Sequence, residues 1–152
     1  MKRFLLFVAF VLIFLALGIS DLSLLHLKDR YPDMRVVFYT KNPKKLDAIN
    51  DGIYNQIHCS SAEAVKIKKS LNEIDGLSVS FEGGKQDIQY IIDYFDAEII
   101  FENTRDGILY IYGYSKLILT QAVLINNSYI NIQLALRKGV VTAGTPIILG
   151  SY

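Results

Sequence analysis

The sequence is short of the residues from which most catalytic centres are made. Its single cysteine, Cys59, allows no disulfide within the chain. Two histidines, His26 and His58, are too few for most histidine-based metal sites. A phosphate-binding loop needs GxxxxGK followed by Ser or Thr. Here Glu82-Gly83-Gly84-Lys85 is followed by Gln86, with no earlier glycine at the required spacing, so a tight turn is expected there. A surplus of charge is missing too. The 16 basic and 15 acidic side chains leave +1, or 14 against 15 once Lys2 and Arg3 are set aside, which excludes the positive excess of a general nucleic-acid binder. What remains is apolar: charged residues are 20% and hydrophobic ones 51%, enough to offset ordering entropy and exclude disorder for the bulk of the chain.

The longest apolar run comes first. Phe4 to Leu17 is fourteen consecutive apolar residues directly after Met1-Lys2-Arg3, a positive n-region followed by a hydrophobic stretch, the pattern of a secretory signal. The small residues Ala16 and Gly18 would permit cleavage after Gly18. The uncharged stretch reaches Ser20, and seventeen residues at ~1.5 Å each give about 25 Å, the lower limit for spanning a bilayer as a retained anchor. In either case Lys2 and Arg3 hold the N-terminus inside and the remainder is expected outside the membrane. Residues 1–20 are therefore predicted as signal peptide or signal anchor, 21–34 as a linker and 35–152 as one domain.

Within that domain Val36 to Thr40 and Gly52 to Cys59 read as strands. Ser60 with Glu63 has capping-box spacing, and Ala64, Ile67, Leu71 and Ile74 follow at helical intervals, with Gly76 as the expected C-cap. Leu77, Val79 and Phe81 alternate with Ser78 and Ser80, giving a strand with one wet face. A second helix carries Ile88, Ile91, Ile92 and Phe95, and Ala97 to Glu102 returns to strand composition. Four further strand-like runs, 108–114, 117–125, 129–137 and 140–149, are joined by brief polar separators and predict an antiparallel meander. Ile130, Ile132, Leu134 and Leu136 mark a covered face, with Tyr129, Asn131, Gln133 and Arg137 opposite. The expected fold is α+β, two helices packed on one face of a largely antiparallel sheet.

Candidate constellations mostly fail on spacing. Glu98 and Glu102, on one face of a strand, would be about 13 Å apart, beyond the roughly 5 to 9.5 Å of glycoside hydrolysis. His58 and Cys59 are adjacent on a strand and point to opposite faces, so neither activates the other. Adjacency excludes a Ser115-Lys116 dyad likewise. Tyr110, Tyr112 and Tyr114 share a strand face opposite Leu109, Ile111 and Gly113, an aromatic row suited to stacking on a glycan or forming a protein interface.

Tyr129 to Arg137, YINIQLALR, followed by Ala143-Gly144-Thr145-Pro146-Ile147-Ile148 and a terminal tyrosine, resembles the C-terminal end of the YwmB-like family of spore-forming bacteria. The Ile111-Tyr112-Gly113-Tyr114-Ser115 stretch is similar as well. This chain ends Gly150-Ser151-Tyr152 where the family has an acidic-tyrosine dipeptide. The resemblance implies a TATA-box-binding-protein-like fold, export and no catalytic residues to carry over. The expectation is an extracytoplasmic binding or scaffolding domain, tethered or secreted, without cofactor, metal or nucleic acid, meeting an envelope protein or glycan through Tyr110, Tyr112 and Tyr114. The alternative is a cell-envelope hydrolase using carboxylates such as Asp93, Asp96 or Glu98.

Overall fold

A computed structural model describes residues 23–44 and 46–149. The expected signal or anchor segment, 1–20, lies outside the described residues. Among those residues no helix is long and apolar enough to cross a membrane.

The fold is α+β, an antiparallel sheet of eight strands with helices on one face. After a 3-10 helix, Leu24–Asp29, come β1 (Arg35–Thr40), β2 (Ile49–Asn50) and β3 (Asn55–Ser60), then helix α1 (Ser61–Ser70) and β4 (Gly76–Glu82). Helix α2 (Lys85–Tyr94) leads to β5 (Glu98–Arg105), β6 (Ile108–Tyr114), β7 (Val123–Ile125), β8 (Ser128–Ile130), β9 (Ile132–Arg137) and β10 (Val140–Thr145). Across the large sheet the order is β2-β3-β1-β4-β10-β9-β6-β5, while β7 and β8 form a separate two-stranded ribbon. The hairpin turns are built from residues that tolerate positive φ: Asp106-Gly107, Asn126-Asn127 and Lys138-Gly139.

One face of the sheet carries the main core. Val36 and Phe38 of β1, Leu77, Val79 and Phe81 of β4, Leu134 of β9 and Val141 of β10 pack beneath Ala64 and Leu71 from the α1 region and Ile88, Ile91 and Phe95 from the α2 region. The 21–34 stretch is not a free linker from Ser23 onward: Leu24, Leu25, Leu27 and Met34 belong to this same core. Ser23 caps the 3-10 helix by accepting from the Leu25 amide, and Tyr31 stacks on Phe81 with ring centroids 3.7 Å apart. Four leucines among charges read as a connector because two turns of 3-10 helix leave no periodicity to detect.

Helix α1 starts at the expected Ser60–Glu63 spacing: the Glu63 carboxylate accepts from the Ser60 N–H, as in a capping box, and from the Ser60 hydroxyl as well. It ends at Ser70, six residues before Gly76, so Gly76 is not its C-cap. Leu71 turns inward in an extended conformation, and Lys44 Nζ donates to the Ser70 carbonyl at 2.7 Å. Gly76 instead opens β4 in a crowded position, where a Cβ would sit 2.7 Å from the Leu149 side chain.

The meander also differs from expectation. The run 117–125 is not a strand of the large sheet; β6 pairs directly with β9, and the chain between them leaves the sheet to form the β7–β8 ribbon. The buried Asn131 enforces that excursion. Its Oδ1 accepts from the Ser115 amide at 2.8 Å, and its Nδ2 donates to the carbonyls of Ser115 and Ile118. The last run, 140–149, stops as a strand at Thr145. Beyond the cis Thr145–Pro146 peptide, the chain folds back under the sheet.

Candidate functional site

The face away from the helices is where the tyrosine row lies. Cross-strand register settles the assignment: Tyr110, Tyr112 and Ala135 with Gln133 stand on one side, and Leu109, Ile111 with Leu134 and Leu136 on the other. The register extends the row across the neighbouring edge strand, with Tyr114 opposite Glu98, Tyr112 opposite Phe101 and Tyr110 opposite Asn103. The Phe101 and Tyr112 rings stack at 4.4 Å with 22° between their planes. All three tyrosines are half-buried. Burial, and then electrostatic repulsion from the Tyr110 hydroxyl when both are ionised, hold the Tyr112 hydroxyl above its ordinary pKa, so it stays a neutral donor at physiological pH.

Toward the middle of the same face, aromatics give way to small polar groups. Tyr39 Oη and Ser78 Oγ are 3.3 Å apart, and Ser80 and Thr142 hydroxyls meet at 3.0 Å across β4 and β10. Part of this face is covered by the chain itself. Ile148 packs with Ile108 and Ala135, Tyr110 lies against that cluster, and the Ile148 amide donates to Gln133 Oε1 at 3.0 Å. Gln133 is thus 4% exposed and Ser78 is buried, where simple alternation predicts wet positions. Gly144 allows the fold-back, since a Cβ there would lie 2.6 Å from the Ile148 amide nitrogen.

The other sequence candidates are dispersed. Glu98 and Glu102 are not on one face: the β5 register shifts between Ile99 and Phe101, so Glu98 pairs with Tyr114 and Glu102 with Ile111 on the opposite side. Asp93 is exposed on α2 and accepts from Gln89 Nε2, and Asp96 follows the helix at positive φ. His58 pairs with Val37 and Cys59 with Val36, which puts imidazole and thiol on opposite faces as expected. Burial, and then the charge of Glu63, push the Cys59 thiol up to about 11, so it is not a reactive thiolate at neutral pH. Ser115 Oγ donates to the Phe95 carbonyl and is buried away from solvent. At the start of α2 the Gly84 amide donates to Asp87 Oδ2 at 2.8 Å, so the protein's own carboxylate occupies the place an anion would take. No group of three or more metal-ligating side chains occurs among the described residues.

One concavity was not visible in the sequence. An open groove of about 550 Å³ runs between the stretch from Arg30 to Arg35 and the end of the β4–β10 strand pair at Phe81, Glu82 and Val140. Two of its polar side chains are engaged within the protein: Arg30 lies 4.0 Å over the Tyr90 ring, and Tyr31 Oη donates to Asp87 Oδ1 at 2.8 Å. No family model matches the chain, nor does any curated protein or solved structure.

Proposed function

We propose that this chain is a non-catalytic extracytoplasmic binding or scaffolding domain, tethered by its N-terminal segment or released, in keeping with the C-terminal resemblance to the YwmB-like family. The observation that carries the proposal is the aromatic surface of β5 and β6, where Tyr110, Tyr112, Tyr114 and Phe101 are brought to the sheet face that no helix covers. Tyrosines fixed by stacking and cross-strand packing lose little freedom on binding, and each offers a flat apolar ring with a hydrogen-bonding tip. A protein or glycan of the envelope fits such a surface. Separation of Glu98 from Glu102 by the β5 register shift supports binding over carboxylate hydrolysis.

The test is photocrosslinking in intact cells from position 114, with position 89 on the exposed side of α2 as the control. A discrete adduct from position 114 alone is expected, lost when Tyr110 and Tyr112 are changed together to Ser in a chain that keeps the crosslinker at 114 and retains its circular dichroism. Equal adducts from both positions would overturn the proposal. So would turnover of an envelope substrate that is abolished by Glu98→Gln.

A further inference from the structure

The two ends of the sheet differ in what they expose. Register places Thr40, Asn55, Gly76, Thr145, Ile132 and Tyr114 along one end. The short strands β2, β7 and β8 and the loops at that end hold the five most exposed large apolar side chains among the described residues: Ile49, Ile53, Leu119, Leu124 and Tyr129. Scattered single exposures are ordinary for a soluble surface, whereas a cluster at one end marks an interaction site.

The β7–β8 ribbon is the most ordered part of this cluster. Val123 pairs with Ile130, which is fully buried, so that side of the ribbon faces the domain. Leu124 pairs with Tyr129 on the other side, and these two are 61% and 65% exposed. The ribbon is therefore amphipathic, with an aliphatic and tyrosine pair outward, and the preceding loop adds Leu117 and Leu119. The chain enters the domain at the same place: Ser23, Ile118 and Thr120 line one small cavity. Three residue steps separate Ser20, the last residue of the uncharged run, from Ser23, a reach of about 10 Å at most.

We propose that this end is a membrane-contact surface, in which Leu117, Leu119, Leu124 and Tyr129 enter the interfacial region of the bilayer. The proposal rests on the tethered form of the domain described above. A tether of that length, entering beside Ile118, leaves the ribbon no room to stand far from the lipid. Tyrosine suits the headgroup level and leucine the acyl boundary just beneath it. Lysines and carboxylates are mixed around this end, Lys116 and Lys41 with Asp47 and Asp75, so apolar insertion and not attraction to anionic headgroups drives the contact.

The chain has no tryptophan, so one introduced residue reports without background. The full chain, carrying either Leu124→Trp or, at the opposite end, Val140→Trp, is reconstituted into vesicles of phosphatidylethanolamine and phosphatidylglycerol, some bearing brominated acyl chains. Vesicle flotation reports the tether independently of the fluorescence. The expected result is co-flotation of both variants, with bromine quenching of the residue at 124 about threefold or more above that at 140 and unchanged by added salt. Equal quenching in chains that float overturns the membrane-contact surface and leaves the tether standing. Failure to float overturns both. Emission at 124 that shifts with protein density, without bromine quenching, assigns the ribbon to a second copy and also overturns the proposal.

Discussion

The two faces of the sheet are built from the same alternating strands but exclude water by different means. On the helix side, large aliphatic groups from every central strand meet Ile88, Ile91 and Phe95 and the leucines of the 3-10 helix, and burial there is mainly apolar. On the other side the chain's own C-terminal segment lies over β9 and β10, and what it buries includes an amide: Gln133 is held by the backbone of Ile148. Strand alternation tells which residues share a face, while whether a face is wet depends on what the rest of the chain lays upon it.

Substitutions on β9 put this difference to the test. Ile132→Ala, on the helix side, is expected to cost about 2 to 4 kcal/mol in urea unfolding, through lost burial and the cavity left behind. Gln133→Ala, one residue along, should cost about 1 to 2 kcal/mol, because the buried Ile148 amide loses its acceptor. A loss well under 1 kcal/mol is what a solvent-facing glutamine would give, and finding it would mean that the C-terminal segment does not cover this face in solution. At the ribbon, Tyr129→Ser should change unfolding by less than about 0.5 kcal/mol, since the ring packs against little.

The smallest expected effect concerns acid. Hydrogen bonding from the Gly84 amide, then from Tyr31, holds the Asp87 carboxyl below its ordinary pKa. A group with a depressed folded-state pKa stabilises above its unfolded value and loses that contribution as pH falls through the folded one. Asp87→Asn should therefore lower stability at neutral pH and make the fall below about pH 4 shallower. Urea midpoints measured from pH 7 to pH 2 check the slope.

Much of this fold was legible in local pattern. The Ser60-Glu63 capping box, the apolar stripe of Ile88, Ile91 and Ile92, and the glycine and asparagine turns each act over a few residues, and each is found where expected. The orientation of the tyrosine row was legible as well, since Tyr110 and Leu109 must part company on any strand. Features set by distant partners were not. Leu71 leaves its helix early for the core, and Gly76 answers to Leu149. The single extra residue in β5 flips Glu102 relative to Glu98, a shift of parity that no alternation count can reveal. Asn131 offered the one missed signal, a lone amide inside an apolar run, and such a residue asks for buried backbone partners.

Hydroxyl-radical footprinting of the aromatic face bears most directly on the proposed binding role. Oxidation of Phe101, Tyr110, Tyr112 and Tyr114 is compared between intact cells and the purified folded chain, with Tyr94, exposed on α2, as the internal reference. A contact surface in use gives several-fold protection of the four aromatic residues in cells and none at Tyr94. Equal oxidation of that face in cells and in isolation would contradict it.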